Sequence, residues 1–417
     1  MYKGSILLYS FRQHSSRVLL HKERVMKILM IGPYPPIQGG ASSDMYWTAQ
    51  LLSEAGNSVH VISNAEDVNE LQKVQVSFED RAFLYSYGDT KRVQLHTTSG
   101  SEEGSVGPAD TVVSKLATYA LSAIRVIEPD VLWVYYTEPY GVAGFITSQL
   151  TEVPYLLHHT ENDAHYLSIS EDTATLYAEI FRKANAILTT EAHRKWFQGL
   201  GVTPDRLLRK VRVRPLDNVF WPAALPRIEG QFIVGSYGKV TSRKGVFELI
   251  EAVCYLRRSG IPILLKALWG GSGFPSFGGY VERQIMTLYA TSFDPFIPPW
   301  QMSQFIRSCH AIVSLEPSSY STRFPIAPRE ALACGRPVIM NERTKLSEEY
   351  QELTAGNDLV FSPRHMTPYH IAEALKNAYK WVNDNNTQIF RVDRAAFNHA
   401  HAEKEMSILL SAIEQRL

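Results

Sequence analysis

The sequence predicts an α/β chain built on two open parallel sheets. Three observations carry that prediction. Short apolar runs alternate with amphipathic stretches of helical period, glycine and proline cluster just after the runs, and 417 residues exceed what one small core accommodates. A hydrophobic content of 45% and a charged content of 20% are those of an ordinary globular chain. Lys+Arg and Asp+Glu balance at 42 each, so no global basic field marks a nucleic-acid binder. No apolar run reaches the roughly 18 residues needed to span a bilayer. Cys254, Cys309 and Cys334 have no metal-like spacing and read as reduced core residues of a cytoplasmic protein.

The first 25 residues are basic, with Glu23 their one acid, and read as a leader or N-terminal extension upstream of a start at Met26. A transit-like or membrane-surface helix is the competing reading. MKILMIG then supplies a buried strand that breaks into PYPPIQGGASS, with Ser42 as the expected helix cap and the helix running to Gly56. Gly39 and Gly40 place a flexible turn at that helix N-terminus, where free N–H groups meet an anion or sugar hydroxyls. The spacing lacks GxGxxG, so no dinucleotide fingerprint is present. Residues 59–63 read as the next strand, 65–110 as a polar loop region followed by a helix to Ile127, and 130–136 and 154–158 as buried strands. The last of these runs into HHTENDAHYL, crowding His158, His159, Glu161 and Asp163 at a strand end. That spacing fits no standard metal template and suits a polar active-site edge; in the bland alternative one histidine is exposed and the other packs. Residues 173–184 and 192–200 read as helices around a strand at 186–189, and LDNVFWPAALP as a linker.

The alternation then repeats. Residues 232–236 form a strand opening into GKVTSRKG, which gathers Lys239, Arg243 and Lys244 at the start of a helix over 246–256. Two cations beside a positive helix end suit a diphosphate, whereas a lone KG turn would simply be solvated. Strands at 263–268 and 311–315, a GGSG turn from Gly270, and helices at 280–288 and 301–308 follow. Residues 318–340, SSYSTRFPIAPREALACGRPVIM, then read as a loop, a short helix carrying Glu330 that stops at Gly335, and a strand, putting the loop at the carboxyl edge of a parallel sheet. A last strand at 358–362 precedes a helix capped by Thr367 with Pro368 first, whose Ile371, Leu375, Ala378 and Trp381 face inward.

PPIQGG, GKVTSRKG, GGSG and REALACGRPVI, in this order and at these separations, give the chain from Met26 onward a resemblance to the retaining nucleotide-sugar glycosyltransferases of the GT-B fold. The resemblance implies two Rossmann-like doubly wound domains facing a cleft: an acceptor domain over 26–222, a nucleotide-sugar domain over 228–394, and a segment 395–417 packing back on the first. It implies donor contacts from Gly39, Gly40, Gly238, Lys239, Lys244, Thr322, Arg323, Phe324 and Glu330, the last gripping the ribose hydroxyls. Lys239 stands where the family usually has an arginine, a single-headed cation for a forked one. His158 or His159 would face the donor sugar, with Lys244 the third catalytic candidate. The family's first motif glutamate falls on Thr322, which has no carboxylate to offer, and Arg323 takes the place of a glycine, hinting at an acidic or otherwise modified donor sugar.

The resemblance implies transfer of a sugar from a nucleoside diphosphate to an acceptor hydroxyl with retention of configuration. The departing phosphate oxygen takes the proton, and no metal or other cofactor is expected. The implied setting is surface-glycan or glycoconjugate synthesis on a glycan, lipid-linked or small-molecule acceptor, in the cytoplasm with peripheral contact at the inner membrane face. The alternatives are a nucleotide-sugar epimerase or glucan phosphorylase on the same fold, or a sugar-nucleotide-binding protein without catalysis, given Thr322.

Overall fold

The computed structural model describes residues 25–77, 93–98, 109–160, 171–211, 219–239, 244–270, 291–293, 296–315, 326–341, 351, 354, 356–390 and 399–416. Its first sheet is parallel, in the order β3-β2-β1-β4-β5-β6-β7. The strands are β1 (Lys27–Ile31), β2 (Ser58–Ser63), β3 (Gln94–Thr97), β4 (Val131–Tyr135), β5 (Tyr155–His158), β6 (Ala186–Thr189) and β7 (Leu207–Arg209). Between them run α1 (Gly40–Glu54), α2 (Ala109–Ile127), α3 (Tyr140–Thr151), α4 (Glu171–Lys183) and α5 (Glu191–Gly199). β1 and β4 lie at the centre, and Ile28–Ile31 and Val131–Tyr135 are buried throughout. Helices on both faces leave such strands no solvated side, hence their unbroken apolar sequence.

The second sheet is also parallel, in the order β10-β9-β8-β11-β12-β13. It comprises β8 (Phe232–Lys239), β9 (Ile263–Gly270), β10 (Thr291–Phe293), β11 (Ala311–Ser314), β12 (Val338–Met340) and β13 (Val360–Phe361). Its helices are α6 (Val246–Arg258), α7 (Met302–Ser308), α8 (Ile326–Ala333) and α9 (Pro368–Asp384); α10 (His399–Glu414) follows. Thr367 caps α9 by accepting from the His370 N–H, with Pro368 at the first turn. Ile371, Leu375 and Ala378 of α9 are buried, while Trp381 is only half-buried, its ring 4.7 Å from that of Phe390. α10 approaches the first sheet's end of the molecule, where Arg416 beyond it donates to the Asp205 carbonyl at 2.9 Å.

Several local expectations are corrected. Ser42 does not cap α1: the cap is Gly39 at φ 123°, and Ser42 lies buried in the first turn. β3 runs inside the stretch read as a polar loop region, because an edge strand with one buried residue, Leu95, shows almost no alternation. β7 and β10, edge strands of three residues each, are too short to show an alternation. β8 and β9 run on to Lys239 and Gly270, which pair with each other, so GKVTSRKG begins inside a strand. On β2 and β3 two imidazoles meet, His60 Nδ1 lying 3.4 Å from His96 Nε2. The cysteines are free and buried. Among the described residues no helix is long and apolar enough to cross a membrane, and no three His, Cys, Asp or Glu gather to hold a metal ion. Residues 1–24 of the leader, the 280–288 helix, Glu161, Asp163, Arg243, Thr322, Arg323 and Phe324 lie outside the described residues.

Candidate active site

The carboxyl edges of the two sheets meet. Gln38, at the turn that follows β1, packs on Gly270 at the end of β9: a Cβ there would stand 2.2 Å from Gln38 Oε1. Gly40 faces the start of α8, since a Cβ on it would lie 3.9 Å from Ile326 Cδ1. Tyr46 of α1 sets its ring 5.1 Å from Trp300, and the Gln75 N–H donates to the Phe296 carbonyl at 3.2 Å. The glycine turn of the first sheet and the Glu330 helix of the second, far apart in sequence, thus stand opposite each other. At this meeting the Gln38 Oε1 and Ser42 Oγ atoms are buried with no hydrogen-bond partner among the described residues. Such groups cost about 1–3 kcal/mol each when left unmatched.

On the second sheet's side, Glu330 is buried on α8 and accepts from the Tyr237 hydroxyl at 2.7 Å. Burial pushes its carboxyl up to about 7, against the opposing pull of the Tyr237 hydrogen bond and the Arg329 charge. Tyr237 shifts strongly upward as well, first by burial and then by the Glu330 charge, so the phenol keeps its proton and donates it. Tyr237 precedes Gly238, whose φ of 131° only glycine adopts freely, and Lys244 Nζ lies 3.5 Å from where a Gly238 Cβ would be. Lys244 is thereby brought to the end of β8, half-buried; Lys239 closes that strand, and its side chain is outside the described residues. Gly335 ends the α8 turn at φ 69°, with the Phe390 carbonyl 2.6 Å from its Cβ position, so no side chain fits.

On the first sheet's side both histidines are buried, where one was open to being read as exposed. His158, the last residue of β5, stacks on Tyr135 with ring centroids 4.1 Å apart, and its Nδ1 accepts from Trp133 Nε1–H at 3.3 Å. That bond puts the ring proton on Nε2, which faces Asp44 Oδ2 at 3.4 Å. Lys210 Nζ reaches the same carboxylate oxygen at 3.4 Å. Burial, then the Lys210 charge and His159, hold His158 well below the usual imidazole range, so it is neutral. His159 packs instead among His193, Phe197 and Trp196, with ring centroids 4.8, 4.9 and 6.0 Å away. Sequence reasoning passed over Asp44, Lys210 and Tyr237. Asp44 stands one helical turn after Gly40, a spacing that puts it on the same face as the glycine turn.

Two parallel sheets flanked by helices, joined edge to edge at their carboxyl ends, define the GT-B architecture, and the solved structures agree. Anabaena HepE in complex with UDP-glucose superposes with a TM-score of 0.59 at 15% identity, over 93% of this chain and 100% of that one. Sucrose-phosphate synthase from Thermosynechococcus elongatus matches at 0.62 and 15%, over 94% and 100%. A putative UDP-N-acetylglucosamine 2-epimerase from Listeria monocytogenes matches at 0.58 and 10%, over 94% and 98%. At these identities the likeness establishes the fold alone. No protein-family model matches the sequence, and no curated protein does.

Proposed function

We propose that this chain is a glycosyltransferase that moves a sugar from a nucleoside diphosphate sugar to an acceptor hydroxyl with retention of configuration. One observation carries the reading: a buried carboxylate, Glu330, and a lysine, Lys244, stand at one sheet edge opposite the Gly39–Gly40 turn of the other. A carboxylate suits the paired hydroxyls of a ribose, and Lys244 with the loop N–H groups suits a diphosphate on which charge grows as the bond to the sugar breaks. The same reading gives the donor contacts to Gly39, Gly40, Gly238, Lys239, Thr322, Arg323 and Phe324, and divides the chain into an acceptor domain over 26–222 and a donor domain over 228–394. The Anabaena protein is in complex with UDP-glucose, which makes uridine the first nucleotide to try. Acceptors of the glycan or lipid-linked kind, and contact with a membrane surface, belong to the same proposal.

The test is a donor screen by mass spectrometry followed by kinetics. Lys244→Ala should lower kcat/KM about 100-fold or more, since one strong electrostatic contact to the leaving group is worth roughly 3 kcal/mol in the transition state. Near-normal turnover in that variant sinks the assignment. The likeness to a putative epimerase favours a second reading. It is distinguished by conversion of UDP-N-acetylglucosamine to another nucleotide sugar with no acceptor added.

A further inference from the structure

We propose that Asp44 is the carboxylate that receives the acceptor's hydroxyl group, and that His158 is a positioning residue behind it. This inference rests on the transferase reading above and names the chemical class of its second substrate, a neutral polyhydroxylated molecule such as a sugar.

Where an imidazole serves as the base, it faces the substrate and a carboxylate orients it from behind. Here the sequence of groups is inverted. The His158 side chain is 2% exposed and the Asp44 side chain 16%, so the carboxylate is the outer member. His158 is held from within by the Trp133 indole and by stacking on Tyr135, and its Nε2 lies 3.4 Å from Asp44 Oδ2 with no hydrogen bond to any described residue. A neutral imidazole fixed in this way supplies no positive charge to a reacting sugar; it sets an unmatched N–H beside a carboxylate.

The carboxylate is incompletely used. Both charged or polar neighbours approach Oδ2, each at 3.4 Å, longer than a good hydrogen bond. Oδ1 takes no partner among the described residues, so acceptor capacity remains on a group that is acceptor-only when ionised. The three residues come from separate elements that converge at the carboxyl edge of the first sheet: Asp44 from the second turn of α1, His158 from the end of β5, and Lys210 from the residue after β7. Asp44 lies about 6 Å along the helix axis from Gly40, which itself faces the start of the Glu330 helix. A hydroxyl bound to Asp44 is therefore across the cleft from Glu330, where a second substrate has to stand.

Charge decides the class. Lys210 balances Asp44, and His158 is neutral, so these three side chains together carry no net charge. A cationic amine would meet Lys210 and an anionic acceptor would meet Asp44, whereas a hydroxyl donates to the carboxylate without opposing either.

The test uses the full chain. UDP affinity is measured first by calorimetry, and D-glucose is then titrated into the UDP-saturated protein with saturation-transfer NMR as the readout. Asp44→Asn is expected to leave UDP affinity and melting temperature unchanged while weakening glucose about tenfold or more. His158→Gln, which retains an outward N–H, should keep most of the glucose affinity, and His158→Phe should lose it as Asp44→Asn does; should the Phe variant not fold, the other two carry the comparison. Glucose binding equal to that of the unsubstituted chain in Asp44→Asn overturns the proposal, as does an equal loss of UDP affinity. A chain that binds UDP but no glucose overturns this inference alone. A chain that binds no UDP overturns the transferase reading and this inference with it.

Discussion

Replacing Arg336 by methionine should destabilise the protein by about 3 kcal/mol, although the two side chains have similar reach and an apolar stem. Arg336 is 1% exposed. Its Nη1 donates to the carbonyls of Ala223 at 2.8 Å and Cys334 at 3.2 Å, and its Nη2 to those of Ala224 and Arg307 at 3.0 Å each. Arg307 lies in the last turn of α7, and Cys334 follows α8, so one cation meets the negative ends of two helices and the chain that enters the second sheet. The Cys334 carbonyl keeps the Ala223 N–H at 3.4 Å, so methionine would strand three carbonyls at about 2 kcal/mol each, or roughly 6 kcal/mol. Against that stands the cost of burying the charge, which lowers the guanidinium to about 10 from 12.5. At 1.36 kcal/mol per unit that offsets roughly 3 kcal/mol, leaving a net loss of about 3. Calorimetry should show the melting temperature falling by about 6–12 °C. Arg336→Lys, with three donors on one point, should fall in between. A methionine variant as stable as the unsubstituted chain would refute the reasoning.

Two further outcomes concern pH. Glu330, with a folded value near 7 against 4.5 for the free group, contributes stability that is fully present below 4.5 and is lost as pH rises through 7. Glu330→Gln should therefore flatten the melting temperature between pH 5 and 8, by up to about 3 kcal/mol, and weaken UDP roughly 10-fold or more at pH 8; a variant that keeps the slope refutes the assignment of the proton. His60 behaves in the opposite sense. Burial, then His96 and Lys27, lower it to about 4, so its contribution is present above 6.5 and lost as pH falls through 4. Acid melting curves of His60→Asn should show that loss reduced by about 1–2 kcal/mol, the pair being partly open to solvent.

The fold was legible because parallel strands buried on both faces announce themselves: KILMI and VLWVY have no other use in a chain with helices between them. Short edge strands carry no such signal, and β3, β7 and β10 passed unread. The turns around the candidate site were legible where backbone geometry demands a particular residue, as at Gly39, Gly238 and Gly335, whose positive φ values admit little else. It was not legible where a role depends on which side chains meet. Nothing local to Asp44 says that a histidine more than a hundred positions away will lie 3.4 Å from it, and nothing local to Tyr237 says that its hydroxyl will reach Glu330. Ser42 shows the same limit from the other side: its type suited a cap, but Gly39 and Gly40 let the helix begin earlier.

The three cysteines give the molecule a practical property. All are buried, and burial pushes the thiols of Cys309 and Cys334 up to about 11 and about 12 and raises Cys254 also, so almost no thiolate is available to a maleimide at neutral pH. The unaltered chain is therefore nearly silent to thiol dyes. Ala55→Cys, at the exposed end of α1, and Lys376→Cys, on the exposed face of α9, would each take a single fluorophore without prior removal of any natural cysteine. Energy transfer between such a pair would follow the separation of the two sheets in solution as UDP is added.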